Sequence, residues 1–153
     1  MDVFSEKRGL SGLEVLRWML ESGNGPPIAT TLKFELAEVE HGHAVFRGTP
    51  GPHAYNPIGV VHGGYAATLL DSACGCAVHT TLSGSQGYTT LELKVAFHRA
   101  LGNDTGPVAA TGKVVSIGRR VAFAEAQLTD ASGKLLASAT STLLVYELPP
   151  AQA

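Results

Sequence analysis

The stretch from Val60 to Leu82 carries one acidic group, Asp71, set among Tyr65-Ala66-Ala67-Thr68-Leu69-Leu70 and Ser72-Ala73-Cys74-Gly75-Cys76-Ala77-Val78. A helix that is apolar almost all round is a buried helix, so the rest of the chain has to supply elements that cover it. Removing an ionised carboxylate from water costs several kcal/mol unless partners or retained water compensate, so something must hold Asp71. The run has nearly membrane-spanning length. A central Asp, however, costs about 2.5 to 3.5 kcal/mol on insertion scales, and Gly, Ala, Ser and Thr dilute the hydrophobicity. A buried helix of a globular protein, outside any membrane, is the better reading.

The flanking sequence predicts what covers that helix. Ser11 followed by Glu14 matches a capping box, and Leu13, Leu16 and Leu20 give one apolar stripe until Gly23, which predicts a short N-terminal helix. After Pro26-Pro27, the segment Thr31 to Leu36 alternates with period two, and the turn-like His41-Gly42 separates it from Ala44 to Arg47, a first hairpin. The segment Thr49 to Gly59 is rich in proline and glycine and reads as an ordered irregular connection. Beyond Ser83-Gly84 four strands follow: Thr89 to Phe97, Val108 to Ile117, Val121 to Leu128 and Leu135 to Tyr146. In the first, alternation puts Thr89, Leu91, Leu93, Val95 and Phe97 on one face and Thr90, Glu92, Lys94 and His98 on the other. The short turns Gly118-Arg119-Arg120 and Asp130-Ala131-Ser132-Gly133 imply antiparallel neighbours. One long helix against six strands is an α+β arrangement, a helix layer on one sheet.

Composition narrows the function classes. At 153 residues the chain reads as one domain, residues 1–153 with a core over about 28–146, large enough to bury about two thirds of the surface its unfolded form exposes. The net charge of −2 and eleven scattered Lys and Arg residues argue against nucleic acid as a partner. Cys74 and Cys76 lie two apart on the expected helix and point in different directions, so they neither bridge each other nor make a zinc site alone. They read as reduced core cysteines, and no metal or cofactor is expected. The charged start Met1-Asp2-Val3-Phe4-Ser5-Glu6-Lys7-Arg8 leads into no long apolar stretch, which predicts a cytoplasmic protein.

The series Asn56-Pro57-Ile58-Gly59-Val60-Val61-His62-Gly63-Gly64, then Leu69-Leu70-Asp71-Ser72-Ala73, resembles the hotdog-fold acyl-CoA thioesterases of the phenylacetate-degradation (PaaI-type) branch. The resemblance extends through Thr89 to Phe97 and Gly118-Arg119-Arg120, so that it covers about Phe34 to Tyr146. A lone His-Gly-Gly is a weak signal; its ordered combination with an acid nine residues after the His is a strong one. The resemblance implies a hotdog fold, a six-stranded antiparallel sheet wrapped around the central helix, acting as a homo-oligomer, a dimer or a dimer of dimers, with active sites between subunits. Geometry points the same way. The helical rise from His62 to Asp71 is roughly 13 Å, whereas groups acting on one carbonyl converge to about 3 Å.

The implied activity is hydrolysis of an acyl-CoA thioester, with CoA part of the substrate. Gly63 and Gly64 open the helix, where unpaired N–H donors and the positive dipole end favour negative charge. Gly63 looks like the donor to the thioester carbonyl, with Gly64 beside it in the substrate-binding turn. His62 orients that turn through a ring hydrogen bond, and Asn56 matches the family's polar residue that holds the attacking water or the carbonyl. Asp71, from the opposing subunit, either activates water as general base or attacks the thioester as nucleophile. The family's Ser or Thr on the following strand matches Thr90, which one step of register exchanges for Thr89. Arg119 and Arg120 suit the phosphates of coenzyme A. A hydroxybenzoyl-type specificity is disfavoured, since relatives of that type carry Glu at position 71 and Thr at position 75, here Gly75. The competing classes are a noncatalytic acyl-CoA-binding protein on the same fold and a dehydratase. Sensors of the first kind commonly add a DNA-binding domain, for which this chain has no spare length, and the dehydratase His-Phe-Pro context is absent.

Overall fold

The computed structural model describes Lys7 and residues 9–149; apart from Lys7, the charged N-terminal start read above lies outside the described residues. The expected helix forms, but it is shorter than the apolar run. It spans Gly63–His79 (α3), begun by His62 as N-cap. Among the described residues two short α-helices and one 3-10 turn, Pro52–Ala54, precede it. The first, α1, runs Gly12–Ser22, and its capping box between Ser11 and Glu14 and its left-handed Gly23 terminus follow the sequence signals. Its buried face is Val15, Leu16 and Met19 with Gly12, whereas Leu13 is only partly buried and Leu20 is exposed, so the stripe Leu13-Leu16-Leu20 is not the docking face. Gly12 sets the rotation. A Cβ there would lie 1.8 Å from the His79 carbonyl oxygen, so this edge must face the end of α3.

The second helix, α2, is Pro27–Leu32, where the alternation had suggested a strand from Thr31. Pro27 has its φ already suited to a first helical turn and lacks an N–H that this position does not use. The turn of helix takes in Thr31 and Leu32, and the first strand starts later. The strands are β1 Phe34–Glu40, β2 His43–Gly48, β3 Gln86–Phe97, β4 Val108–Ile117, β5 Val121–Asp130 and β6 Leu135–Glu147. They form one antiparallel sheet in the order β1-β2-β4-β5-β6-β3.

Small residues let this sheet close on α3. Leu69, Leu70, Ala73, Cys74 and Val78 are buried against a sheet face of Ala110, Ala122, Ala124, Ala126, Leu128 and Leu143. At the closest approach, a Cβ on Gly112 would sit 2.3 Å from the Ala73 carbonyl oxygen, so only glycine lets β4 touch the helix backbone there.

Strand β3 departs from its sequence pattern in a way that matters. Its pairing with β6 slips between Thr90 and Glu92, a β-bulge. An extra residue in one strand reverses the facing of everything beyond it. Leu93 and Val95 pack on the core, and so do Tyr88 and Thr90 upstream, while Leu91 is 58% exposed. The expected common face of Leu91, Leu93 and Val95 therefore does not exist, and Phe97 is also exposed at 54%. None of the described helices is long and apolar enough to cross a membrane.

Candidate active site

The start of α3 is built by its N-cap. His62 has extended backbone angles (φ −65°, ψ 135°), and its Nδ1 accepts a hydrogen bond from the Gly64 N–H at 2.8 Å. That bond fixes the ring proton on Nε2. The His62 backbone N–H is itself tied to the Ala54 carbonyl at 2.7 Å, so the turn is held by the ring on one side and by the backbone on the other. With Gly64 committed, the Gly63 N–H is the donor left over: among the described residues it has no acceptor, and Gly63 is exposed. An unpaired N–H at a helix start favours a partly negative oxygen.

Asn56 stands before this turn. Its Oδ1 accepts from the backbone N–H groups of Ile58 at 3.1 Å and Val60 at 3.2 Å, and its own N–H donates to the Val60 carbonyl at 2.8 Å. The side-chain carbonyl is thus spent on shaping the loop, and among the described residues the amide NH₂ has no acceptor.

Asp71 lies two turns along α3. It is half-buried, not sealed, because the helix face through Gly64, Thr68, Asp71 and Ser72 is left partly uncovered by the sheet. Its Oδ1 accepts a hydrogen bond from the Thr90 hydroxyl at 3.0 Å. Among the described residues its second oxygen has no partner. Thr89, exposed on the opposite face of β3, does not join this pair. The bulge is what turns Thr90 toward the helix, so the contact owes its existence to an irregularity.

Within one chain these groups form two clusters. Asn56, His62, Gly63 and Gly64 sit at the helix start, while Asp71 and Thr90 sit about 12 Å further along the helix axis. Arg119 and Arg120 occupy a third place, the exposed β4–β5 turn, where the Arg120 carbonyl accepts from Val145, the β6 partner of Tyr88. The cysteines are inert. Burial pushes both the Cys74 and the Cys76 thiol up to about 12, leaving essentially no thiolate near neutral pH. Among the described residues no group of three or more His, Cys, Asp or Glu is placed to hold a metal ion.

Two aromatic neighbours of the helix glycines escaped the sequence reading. A Cβ on Gly63 would meet Phe97 Cζ at 3.0 Å, and one on Gly75 would meet Tyr88 Cε2 and Oη at 2.9 Å each. Strand β3 thus runs antiparallel along α3, with Phe97 beside Gly63, Thr90 beside Asp71 and Tyr88 beside Gly75. The available signal was the set of helix glycines and strand aromatics, but pairing them required the register of the bulge.

Comparison with known proteins bears on this arrangement. The family model of the thioesterase superfamily matches residues 58–137, a span holding both clusters except Asn56. The chain is 29% identical over 115 residues to the 1,4-dihydroxy-2-naphthoyl-CoA hydrolase of Listeria monocytogenes, covering 75% of this chain and 92% of that protein. It is 33% identical over 90 residues to human acyl-coenzyme A thioesterase 13, covering 57% of this chain and 61% of that one. Among solved structures, a phenylacetic acid degradation-related protein from Ralstonia eutropha superposes with a TM-score of 0.74 at 27% identity, covering 84% of this chain and 97% of that one. A Haemophilus influenzae thioesterase superposes with a TM-score of 0.78 at 19% identity over 92% of this chain and 94% of that one, a likeness of fold.

Proposed function

The chain belongs to the thioesterase superfamily and is a thioester hydrolase of hotdog fold, and from that premise we propose that it cleaves a small aryl- or acyl-CoA thioester to the free carboxylic acid and CoA. The observation that carries this reading is Asp71: a half-open carboxylate held through one oxygen by Thr90, its other oxygen uncommitted. A carboxylate kept in place but not neutralised is equipped to take a proton from water or to attack a carbonyl carbon. In the first route Asp71 accepts a proton from water as the oxygen bonds to the thioester carbon, and the C–S bond breaks to release CoA. In the second, Asp71 forms an anhydride, CoA leaves, and water then hydrolyses the anhydride.

The carbonyl oxygen gains negative charge in both routes, and the unpaired Gly63 N–H is the group suited to receive it. Because Gly63 and Asp71 are separated along one helix, the working site pairs the Gly63 end of one subunit with Asp71 of another in a homodimer or a dimer of dimers. Asn56 contributes its free NH₂ to the water or carbonyl, His62 holds the turn, and Thr90 rather than Thr89 steadies the acid. The exposed guanidinium groups of Arg119 and Arg120 suit the CoA phosphates.

A thiol-release assay over aryl- and fatty acyl-CoAs tests the activity, with release of CoA expected on part of the panel and none on any member refuting it. The shared site is tested by mixing Asp71→Asn chains with Gly63→Pro chains. Proline is tolerated at a first helical position and removes the N–H, while its added carbons press on the exposed Phe97 ring, which has to give by a few tenths of an ångström. Each parent is expected to be inactive and the mixed oligomer to recover part of the activity; no recovery after verified subunit exchange would exclude a shared site.

A further inference from the structure

Tyr88 lies on the helix-facing side of β3 for the same reason as Thr90, the bulge that follows them. Thr90 meets Asp71, and Tyr88 meets the helix one turn further on, at Gly75. The fit is close. Ring carbon Cε2 and the hydroxyl both stand 2.9 Å from where a Cβ on residue 75 would be, so the ring fills the space that any other residue at that position would occupy. The His79 ring lies against it with centroids 5.5 Å apart, and its hydroxyl is in polar contact with the Cys76 thiol. Tyr88 is half-buried, and it packs at Gly75, one helical turn beyond Asp71 on the same helix face.

We propose that Tyr88, seated on Gly75, is the specificity-determining wall of the acyl pocket, admitting short or aryl acyl groups and stopping long alkyl chains. This rests on the thioester-hydrolase reading of Asp71. The helix surface on the other side of Asp71, through Gly64, Ala67 and Thr68, is floored by small side chains, whereas a group extending the other way meets an aromatic ring after one helical turn, about 5.4 Å. The surroundings of the ring are those of an acyl group and not of a phosphate. They offer a thiol, an imidazole and a glycine, and the nearest cationic turn, Arg119-Arg120, lies exposed at the sheet end. An aromatic face also rewards a planar acyl group with offset or edge contacts.

The experiment is a ladder of kcat/KM values for acetyl-, hexanoyl-, decanoyl-, palmitoyl-, benzoyl- and phenylacetyl-CoA, measured on the full-length protein and three variants. The native protein is expected to favour the short and aryl members. Tyr88→Ala is expected to raise the palmitoyl-to-benzoyl ratio at least about tenfold, the scale of discrimination that hydrophobic pocket contacts supply, while Tyr88→Phe keeps the native ladder. Gly75→Ala pushes the ring into the pocket and is expected to steepen the ladder against longer chains, an effect that disappears in Gly75→Ala/Tyr88→Ala. A Tyr88→Ala ladder parallel to the native one, or lowered by one common factor on every substrate, would overturn the proposal, the latter because it marks contact with the shared CoA arm. If Tyr88→Ala fails to fold, an unchanged ladder in folded Gly75→Ala overturns it equally. Absence of cleavage of every thioester by the native protein would refute the hydrolase reading instead, an outcome distinct from an active enzyme with an unaltered ladder.

Discussion

The two long sides of α3 are made of similar small residues and do opposite things. On the sheet side, Ala66 and Ala73 with Gly112 of β4 let two backbones approach until no space is left. On the other side, Gly64, Thr68, Asp71 and Ser72 are reached only at the sheet's edge strand β3, through Thr90, and stay partly open. Small side chains therefore produce density where a partner layer is present and an accessible floor where it is not. With Asp71 in its proposed role, the contrast divides stability from chemistry between the two sides.

Asp71→Asn puts the largest expected effect on the open side. It keeps the shape and the Thr90 contact but removes the charge, so turnover should fall about 10³-fold or more while the melting temperature stays within a few degrees. A matched loss of stability in calorimetry would erase the contrast. Gly112→Val on the sheet side should do the reverse. The added carbons meet the Ala73 carbonyl, at an expected cost of about 3 kcal/mol, read from the urea midpoint, with activity per folded molecule little changed.

The buried side should also be the acid-sensitive one. Burial holds His79 down from 6.5 to about 4. The unfolded chain therefore binds a proton that the folded chain refuses as pH falls from about 6.5 toward 4. Stability from this group is fully present above about 6.5 and is lost below it, by roughly 2 kcal/mol between pH 7 and pH 5. Denaturant midpoints across that range, native against His79→Gln, measure it; equal slopes would remove His79 as the cause. The smallest effect belongs to Thr90→Val, which should lower kcat about tenfold through loss of one hydrogen bond to a carboxylate and leave the urea midpoint nearly unmoved.

Much of this was legible in the sequence wherever the signal was local. The Ser11–Glu14 box, the turn at Gly118 and the strand Val108–Ile117 stand where their residues put them, because caps and tight turns are decided within a few residues. Asp71 was legible as an anomaly and Thr90 as a candidate. Their contact was not, since alternation placed Thr90 on the face away from Leu93 and only the pairing of β3 with β6 reveals the slipped register. Helix α2 was missed for a related reason: period-two alternation in Thr31–Leu36 competed with the helix-starting Pro27, and the proline prevailed. The depth of Asp71 was also overestimated, because the hydrophobicity of a helix does not say which of its sides the sheet will leave uncovered.

The bulge in β3 has a consequence for the mutational record of this strand. In a saturation scan, positions that tolerate polar substitution should fall on 89 and 91 before the bulge and on 92, 94 and 96 after it. The tolerance pattern thus changes phase within a single strand. Deleting Leu91, the residue without a partner on β6, would restore a regular alternation with Thr90, Leu93 and Val95 all still facing the helix. With its length unchanged, a strand that lost the bulge would turn either Thr90 or Leu93 and Val95 away from the helix, so the irregular spacing answers to core and site together.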